Sequence, residues 1–100
     1  MLELRPTCEH CNKALPPESP DAMICSFECT FCHSCVELLH NVCPNCGGGF
    51  APRPVRPAHD WHGPYLGKYP ASRKVTHQPV DLLAHAQLVA EVEDIPPERR

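Results

Sequence analysis

Aromatic side chains are scarce in this sequence: three Phe, two Tyr and one Trp among one hundred residues. Long apolar runs are missing too, and none approaches the about 18 residues of a membrane-spanning helix. Strong charge of one sign is also absent, since nine basic residues stand against twelve acidic ones for a formal charge of −3. The first absence excludes a large hydrophobic core and the big catalytic folds that need one; a chain this short is one small domain near the lower limit of independent folding. The second argues against a membrane partner. The third argues against a nucleic-acid partner, because a phosphate backbone selects basic surfaces. The opening stretch MLELRPTCEH has no basic start followed by an apolar run, so no secretory signal is read and a cytoplasmic location is expected.

Cysteine and proline are abundant instead, at eight and thirteen residues. A core this small needs a staple, and the cysteines are the candidate. All eight lie between positions 8 and 46. In a reducing compartment disulfides are rare; four disulfides remain the alternative for an exported chain. The spacing favours metal. Cys8-x2-Cys11, Cys32-x2-Cys35 and Cys43-x2-Cys46 are close pairs suited to present two thiolates to one tetrahedral ion, and Cys25-x3-Cys29 is a fourth. Eight thiolates make two closed four-ligand sites, the pattern of structural zinc, worth about 10 kcal/mol or more of folding energy per site. Two Zn2+ are therefore expected, with iron as the alternative, because Cys43-Pro44-Asn45-Cys46-Gly47 resembles a rubredoxin knuckle. Loading two divalent ions onto eight thiolates takes the formal charge from −3 to −7.

Three ways of sharing the ions are open: sequential, nested and interleaved. The nested form is crowded, because its second site takes all four ligands from the stretch Cys25 to Cys35. Cys25-x3-Cys29-x2-Cys32 also has the spacing of the radical-SAM cluster motif, but such enzymes need a barrel of about two hundred residues. No Ser/His/Asp set, spaced carboxylate pair or phosphate-cradling loop stands out, so no enzyme is expected. His10, His33 and His40 read as neighbours of the ligands, with His33 placed to donate toward a thiolate. His59, His62, His77 and His85 read as solvated.

Gly47-Gly48-Gly49 closes the cysteine module and can supply unusual backbone angles. Six prolines between positions 52 and 79 mark an irregular linker, residues 51–79. Its Trp61, Tyr65, Leu66 and Tyr69 are expected to lie over the module and shield it, with an exposed docking motif as the alternative. Residues 80–93 read as a helix within a C-terminal unit, 80–94, whose apolar stripe is Leu82, Leu83, Ala86, Val89 and Ala90. Asp81, His85, Gln87 and Glu91 fall off that stripe. A second helical stretch runs from His33 to Asn41, with Val36, Leu39 and His40 sharing a face. A lone helix of this length is marginal in water, so the C-terminal stripe must pack on the module, a second copy or a partner.

The stretch CSFECTFCHSCVELLHNVCPNC resembles the second half of a RING finger. Cys29-Thr30-Phe31-Cys32 stands where that family carries His-Thr-Phe-Cys, and Cys43-Pro44-Asn45-Cys46 matches its closing knuckle. The resemblance implies a small metal-stabilised α+β domain over residues 1–50: a cross-brace with two zinc knuckles, a short hairpin and one short helix. It also implies interleaved ligation, with Cys8, Cys11, Cys32 and Cys35 on one ion and Cys25, Cys29, Cys43 and Cys46 on the other. The contact positions of RING ubiquitin ligases differ, with Glu9-His10 between the first two cysteines and Gly47 after the last. MLELRPTCEHC, ICSFECTFC and CPNCGG followed by RPVRP also resemble a family of short bacterial proteins, domain of unknown function family 1272, over residues 1–57. The function expected is a zinc-binding protein-interaction or regulatory module, able to self-associate through the C-terminal helix. A nucleic-acid-binding zinc finger, with Arg5, Lys13, Arg53 and Arg56 at phosphates, and a ligase-like RING are the alternatives.

Overall fold

The computed structural model describes residues 1–100 throughout. Three short strands and two helices carry the fold: β1 (Ala22–Ile24), β2 (Thr30–Cys32), α1 (His33–Leu38), β3 (Ala51–Pro52) and α2 (Leu82–Val92), with a 3-10 turn at Pro97–Arg99. β1 and β2 form the expected hairpin, with Met23 opposite Phe31. β3 pairs with the other side of β1, giving the antiparallel order β2-β1-β3. Two residues are too few to leave a period-2 signal, so β3 is invisible in the sequence. Its Pro52 has no N–H to donate and sits on the edge, where proline is tolerated.

α1 is shorter than the sequence suggests. It ends at Leu38 because His40 and Asn41 both take left-handed backbone angles, at φ 56 and 58. Asn41 suits that region, and its Oδ1 accepts the Phe50 N–H at 2.9 Å, tying the turn to the chain entering β3. Cys35, Val36 and Leu39 point inward while His40 is exposed. The core around them is half thiol: six of its twelve members are Cys8, Cys25, Cys29, Cys32, Cys35 and Cys43. Phe31 and Phe50 meet edge to face at 5.4 Å and 75°, an arrangement aromatic pairs prefer.

Residues 53–79 lie outside strands and helices and are laced to the module by hydrogen bonds. Arg53, 4% exposed, donates to the carbonyls of Arg5, Leu15 and Pro16. Arg56 donates to the carbonyls of Tyr69 and Leu2. Both were candidate phosphate contacts; Arg53 is buried among its three carbonyls, while half-buried Arg56 gives the chain one bond from each Nη. Ser72 N–H reaches Leu4 O, and Gln78 N–H reaches Glu9 O. Nor do the rings shield the cysteines. Trp61 is 72% exposed, and the groove it shares with Tyr65 and Tyr69 is lined by no cysteine.

α2 begins where Asp81 caps it, its Oδ1 accepting the N–H groups of Leu83 and Ala84, as an N-cap should. The face that packs shares only Val89 with the expected stripe. His85 and Val89 are buried, Leu88 and Val92 are half-buried, and Leu83 is 85% exposed. Hydropathy ranks leucine above histidine, but His85 Nε2 lies 3.1 Å from Leu39 O, just past the end of α1. A carbonyl only accepts, so Nε2 carries the ring proton. Leu39 O also accepts the Val42 N–H at 3.1 Å, and the ring N–H takes its second acceptor position, tying α2 to the end of α1. His85 is thus the correction to the solvated reading, while His59, His62 and His77 are exposed. No helix is long and apolar enough to cross a membrane.

Removing this tether should loosen α2 alone. His85→Ala is expected to cost about 1–3 kcal/mol and to speed amide exchange across residues 82–92, with residues 8–46 unchanged. Uniformly accelerated exchange would show that the ring holds more than the helix.

Candidate metal centre

Two knuckles of the same design open and close the module. Cys8 N–H reaches Lys13 O and Asn12 N–H returns to Cys8 O, with Asn12 at φ 63. Cys43 N–H reaches Gly48 O and Gly47 N–H returns to Cys43 O, with Gly47 at φ 78. Each pair of cysteines is therefore presented by one tight loop whose fifth residue is left-handed, and asparagine and glycine are the residues that conformation favours. A related turn joins β1 to β2: Glu28 N–H reaches Cys25 O, Glu28 has φ 68, and Cys25 N–H reaches Cys29 O. The remaining pair sits on a helix start, Cys32 at the N-cap position of α1 and Cys35 inside it. Gly48 and Gly49 lack positive φ; Gly49 instead gives Pro97 room, since a Cβ there would meet the proline ring at 2.9 Å.

These elements gather the sulfurs into two groups. Cys8, Cys11, Cys32 and Cys35 lie within 4.8 Å of one another, with the Cys11 and Cys32 sulfurs at 3.7 Å. Cys25, Cys43 and Cys46 form the second group under the same limit. Cys29 does not fall within that limit of all three. It flanks Cys25 across the hairpin turn and receives the Asn45 side-chain N–H at 3.4 Å. Thiolates around one tetrahedral ion sit roughly 3.5–4 Å apart, so the first group is close to that spacing. The grouping joins the pair Cys8/Cys11 to Cys32/Cys35, and Cys25 to the pair Cys43/Cys46, which fits a cross-brace zinc pattern. One cysteine of each group is at the surface, Cys11 in the first and Cys46 in the second, giving an ion a way in.

The electrostatics of each group are those of an anion cluster in want of a cation. Burial by itself pushes the Cys32 thiol up, but the Ser34 hydroxyl at 3.5 Å, the Cys35 backbone amide and the neighbouring thiols bring it down to about 7. Burial pushes Cys35 well above the usual thiol range, and Cys8 moves the same way for the same reason. In the second group burial opposes ionisation of Cys25, yet the Phe27 N–H at 3.3 Å and the neighbouring cysteines lower it. Burial raises Cys29 and Cys43. Cys32 and Cys25 are thus lowered while Cys8, Cys35, Cys29 and Cys43 are raised, by burial first and by the thiols beside them second. A divalent cation removes the repulsion between thiolates, and amides aimed at sulfur, such as Gly48 N–H on Cys46 at 3.4 Å, orient the ligands.

Sequence reasoning missed three residues here. Glu9, 3% exposed, receives Thr30 N–H at 2.7 Å and Arg5 Nη1 at 3.0 Å, and its own N–H reaches Thr30 O. It stitches the first knuckle to β2, and the arginine four positions before it was the available signal. Asn45 turns its amide to a thiol rather than to solvent. Ser34, not His33, is the polar group beside Cys32; His33 is exposed, and its N–H binds Asp21 Oδ1.

Comparison with known proteins agrees with this module. The family described as protein of unknown function (DUF1272) matches residues 1–56. An uncharacterized protein of Rhizobium meliloti (strain 1021) is 60% identical over 73 residues, which is 72% of this chain and 81% of that protein. No solved structure matches the chain.

Metal uptake should release protons. With Cys8 and Cys35 raised and Cys32 at about 7, loading one ion per group at pH 7 is expected to free about three protons or more each. Calorimetry in buffers of different ionisation enthalpy measures this, and affinity should fall as pH is lowered. Loading without proton release would mean that the thiols are not the ligands.

Proposed function

The chain belongs to the DUF1272 family, and we propose that it is a small zinc-binding interaction module built on two structural four-cysteine sites in a RING-like cross-brace. The observation that carries this reading is the gathering of the cysteine sulfurs into two groups from alternating pairs of the sequence. One ion takes Cys8, Cys11, Cys32 and Cys35. The other takes Cys25, Cys29, Cys43 and Cys46, with Cys29 completing the tetrahedron. Zinc suits four thiolates in a site with no open position and no redox work to do. It holds together a core that is half thiol and too small to stand alone. Neither ion has a vacancy for substrate, so the metals act as structure and the surface does the work.

That surface is α2. Packing on the module uses His85, Leu88, Val89 and Val92, which leaves Leu82, Leu83 and Ala86 outward. Beside them runs a groove of about 250 Å³ shared with Leu38 and His40. An apolar helix face left uncovered is what a protein partner or a second copy buries. Ubiquitin transfer has less support. The residue between the first two cysteines is the inward Glu9, and His10 beside it accepts the Val80 N–H at 2.8 Å and so lies under the tail.

Elemental analysis of the purified chain is expected to give two zinc ions per monomer. One ion, or mostly iron, would overturn the metal reading. Chelation should unfold residues 8–46, seen as fast amide exchange throughout. Cys8→Ser and Cys25→Ser should each remove one of the two tetrahedral thiolate signals of the cobalt-loaded protein. Loss of Cys8 together with Cys25 and Cys29 from one signal would mean sequential sharing. For the interaction role, Leu83→Glu should abolish any concentration-dependent rise in mass or captured partner while leaving zinc content at two.

A further inference from the structure

The formal charge of −3 hides a segregation. Residues 51–79 carry Arg53, Arg56, Lys68, Arg73 and Lys74 against Asp60 alone, while the segments on either side are acidic. The same stretch holds the only tryptophan and both tyrosines. The fold brings the rings together. Trp61, Tyr65 and Tyr69, with Pro57 and Pro64, line a groove of about 500 Å³ whose polar members are Arg56 and His62. That volume lies within the roughly 300–1,000 Å³ of small-ligand sites, and a mostly apolar wall with a few placed polar groups is their usual composition. No carboxylate lines it. The nearby Asp60 turns its Oδ1 to Gly63 N–H at 2.7 Å.

Two features make this groove more than a hollow in an irregular segment. Arg56 is fixed: its Nη atoms donate to the carbonyls of Tyr69 and Leu2 at 2.6 and 2.8 Å, one from each side. Carbonyls hold a guanidinium without neutralising it, and two bonds use two of its five N–H donors. A rigid, uncompensated positive charge with donors to spare therefore sits in the wall. The second feature is the placement of the rings. Trp61 is 72% exposed, steadied edge-on by His59 at 5.9 Å, and Lys68 Nζ stands 5.7 Å from the centre of the Tyr69 ring. An exposed indole beside two half-buried tyrosine rings, interleaved with cations, is the chemistry that stacks a base and holds its phosphate.

We propose that this groove binds a nucleotide unit, a planar heteroaromatic base stacked on Trp61 and the tyrosines with its phosphate at Arg56 and Lys68. The site is separate from the metal groups, and neither reading depends on the other. A free mononucleotide and a strand of single-stranded nucleic acid both supply this unit. The acidic segments on either side repel a long polyanion, which makes the free mononucleotide the expected source.

The single tryptophan reports binding directly. Adenosine monophosphate added to the zinc-loaded full chain should quench Trp61 fluorescence saturably, and salt should weaken the effect. Adenosine and inorganic phosphate should each bind at least about tenfold more weakly, since each supplies half of the recognition. A ten-nucleotide single strand should bind no better per nucleotide; a large gain would keep the site and move its source to a strand. Lys68→Gln should weaken binding about tenfold or less, and Trp61→Leu, followed by calorimetry, should abolish it with zinc content unchanged. Absence of saturable quenching by both the mononucleotide and the strand, or equal binding of adenosine, would overturn the proposal.

Discussion

Crowding of thiols is the constraint on which the rest of this structure depends. Six of the twelve core residues are cysteines, and all of them but Cys29 belong to sulfur groups no wider than 4.8 Å. Ordinary cores gain stability from close-packed hydrocarbon. Here that space is taken by groups that repel one another when they ionise and fill poorly when they do not. Cys32 at about 7 beside the strongly raised Cys35 expresses the conflict within one helix start. A divalent ion held by these thiols would resolve it, and the rest of the module is slight: a hairpin of three-residue strands, six residues of helix and two knuckles.

The same economy explains where the arginines go. A short sheet and a proline-rich segment leave many carbonyls without ladder partners, and each must be satisfied. Arg53 closes three of them and Arg56 two. Proline contributes by subtraction, because a residue with no N–H cannot donate, and the acceptors it would have served fall to side chains. Residues 53–79 are thus irregular without being loose, pinned at Leu2, Leu4, Arg5, Glu9 and Leu15.

Much of the module was legible because metal spacing is a strong signal. The hairpin was implied by the RING-like resemblance, the helix after Cys32 by its apolar face, and the left-handed Gly47 by the glycine run that closes the last knuckle. The tail was less legible. On hydropathy alone, Leu83 outranks His85, yet the leucine faces solvent and the histidine is buried. What decided it was Leu39 O, an acceptor whose position depends on where α1 stops. That stop depends on His40 taking φ 56, a choice no periodicity records. Arg53 was equally hard to place: a cation in an exposed-looking Pro-rich run suggests an external anion until the three carbonyls around it are placed.

One asymmetry links the two ends of the molecule. The metal groups concentrate negative charge in residues 8–46, and adding ions to eight thiolates leaves that end more negative still. The basic segment 51–79 wraps against it through main-chain bonds rather than ion pairs; the salt bridges present all involve Arg5 or Lys13, within the module itself. Cations that had paired with the module's carboxylates would have no charge left for anything else. Because Arg56 is held by carbonyls, the fold is secured and its charge remains unspent. A chain that is acidic overall can therefore carry a groove lined by Arg56 and an apolar helix face on α2. The thiol clusters need only keep the surfaces between them in register.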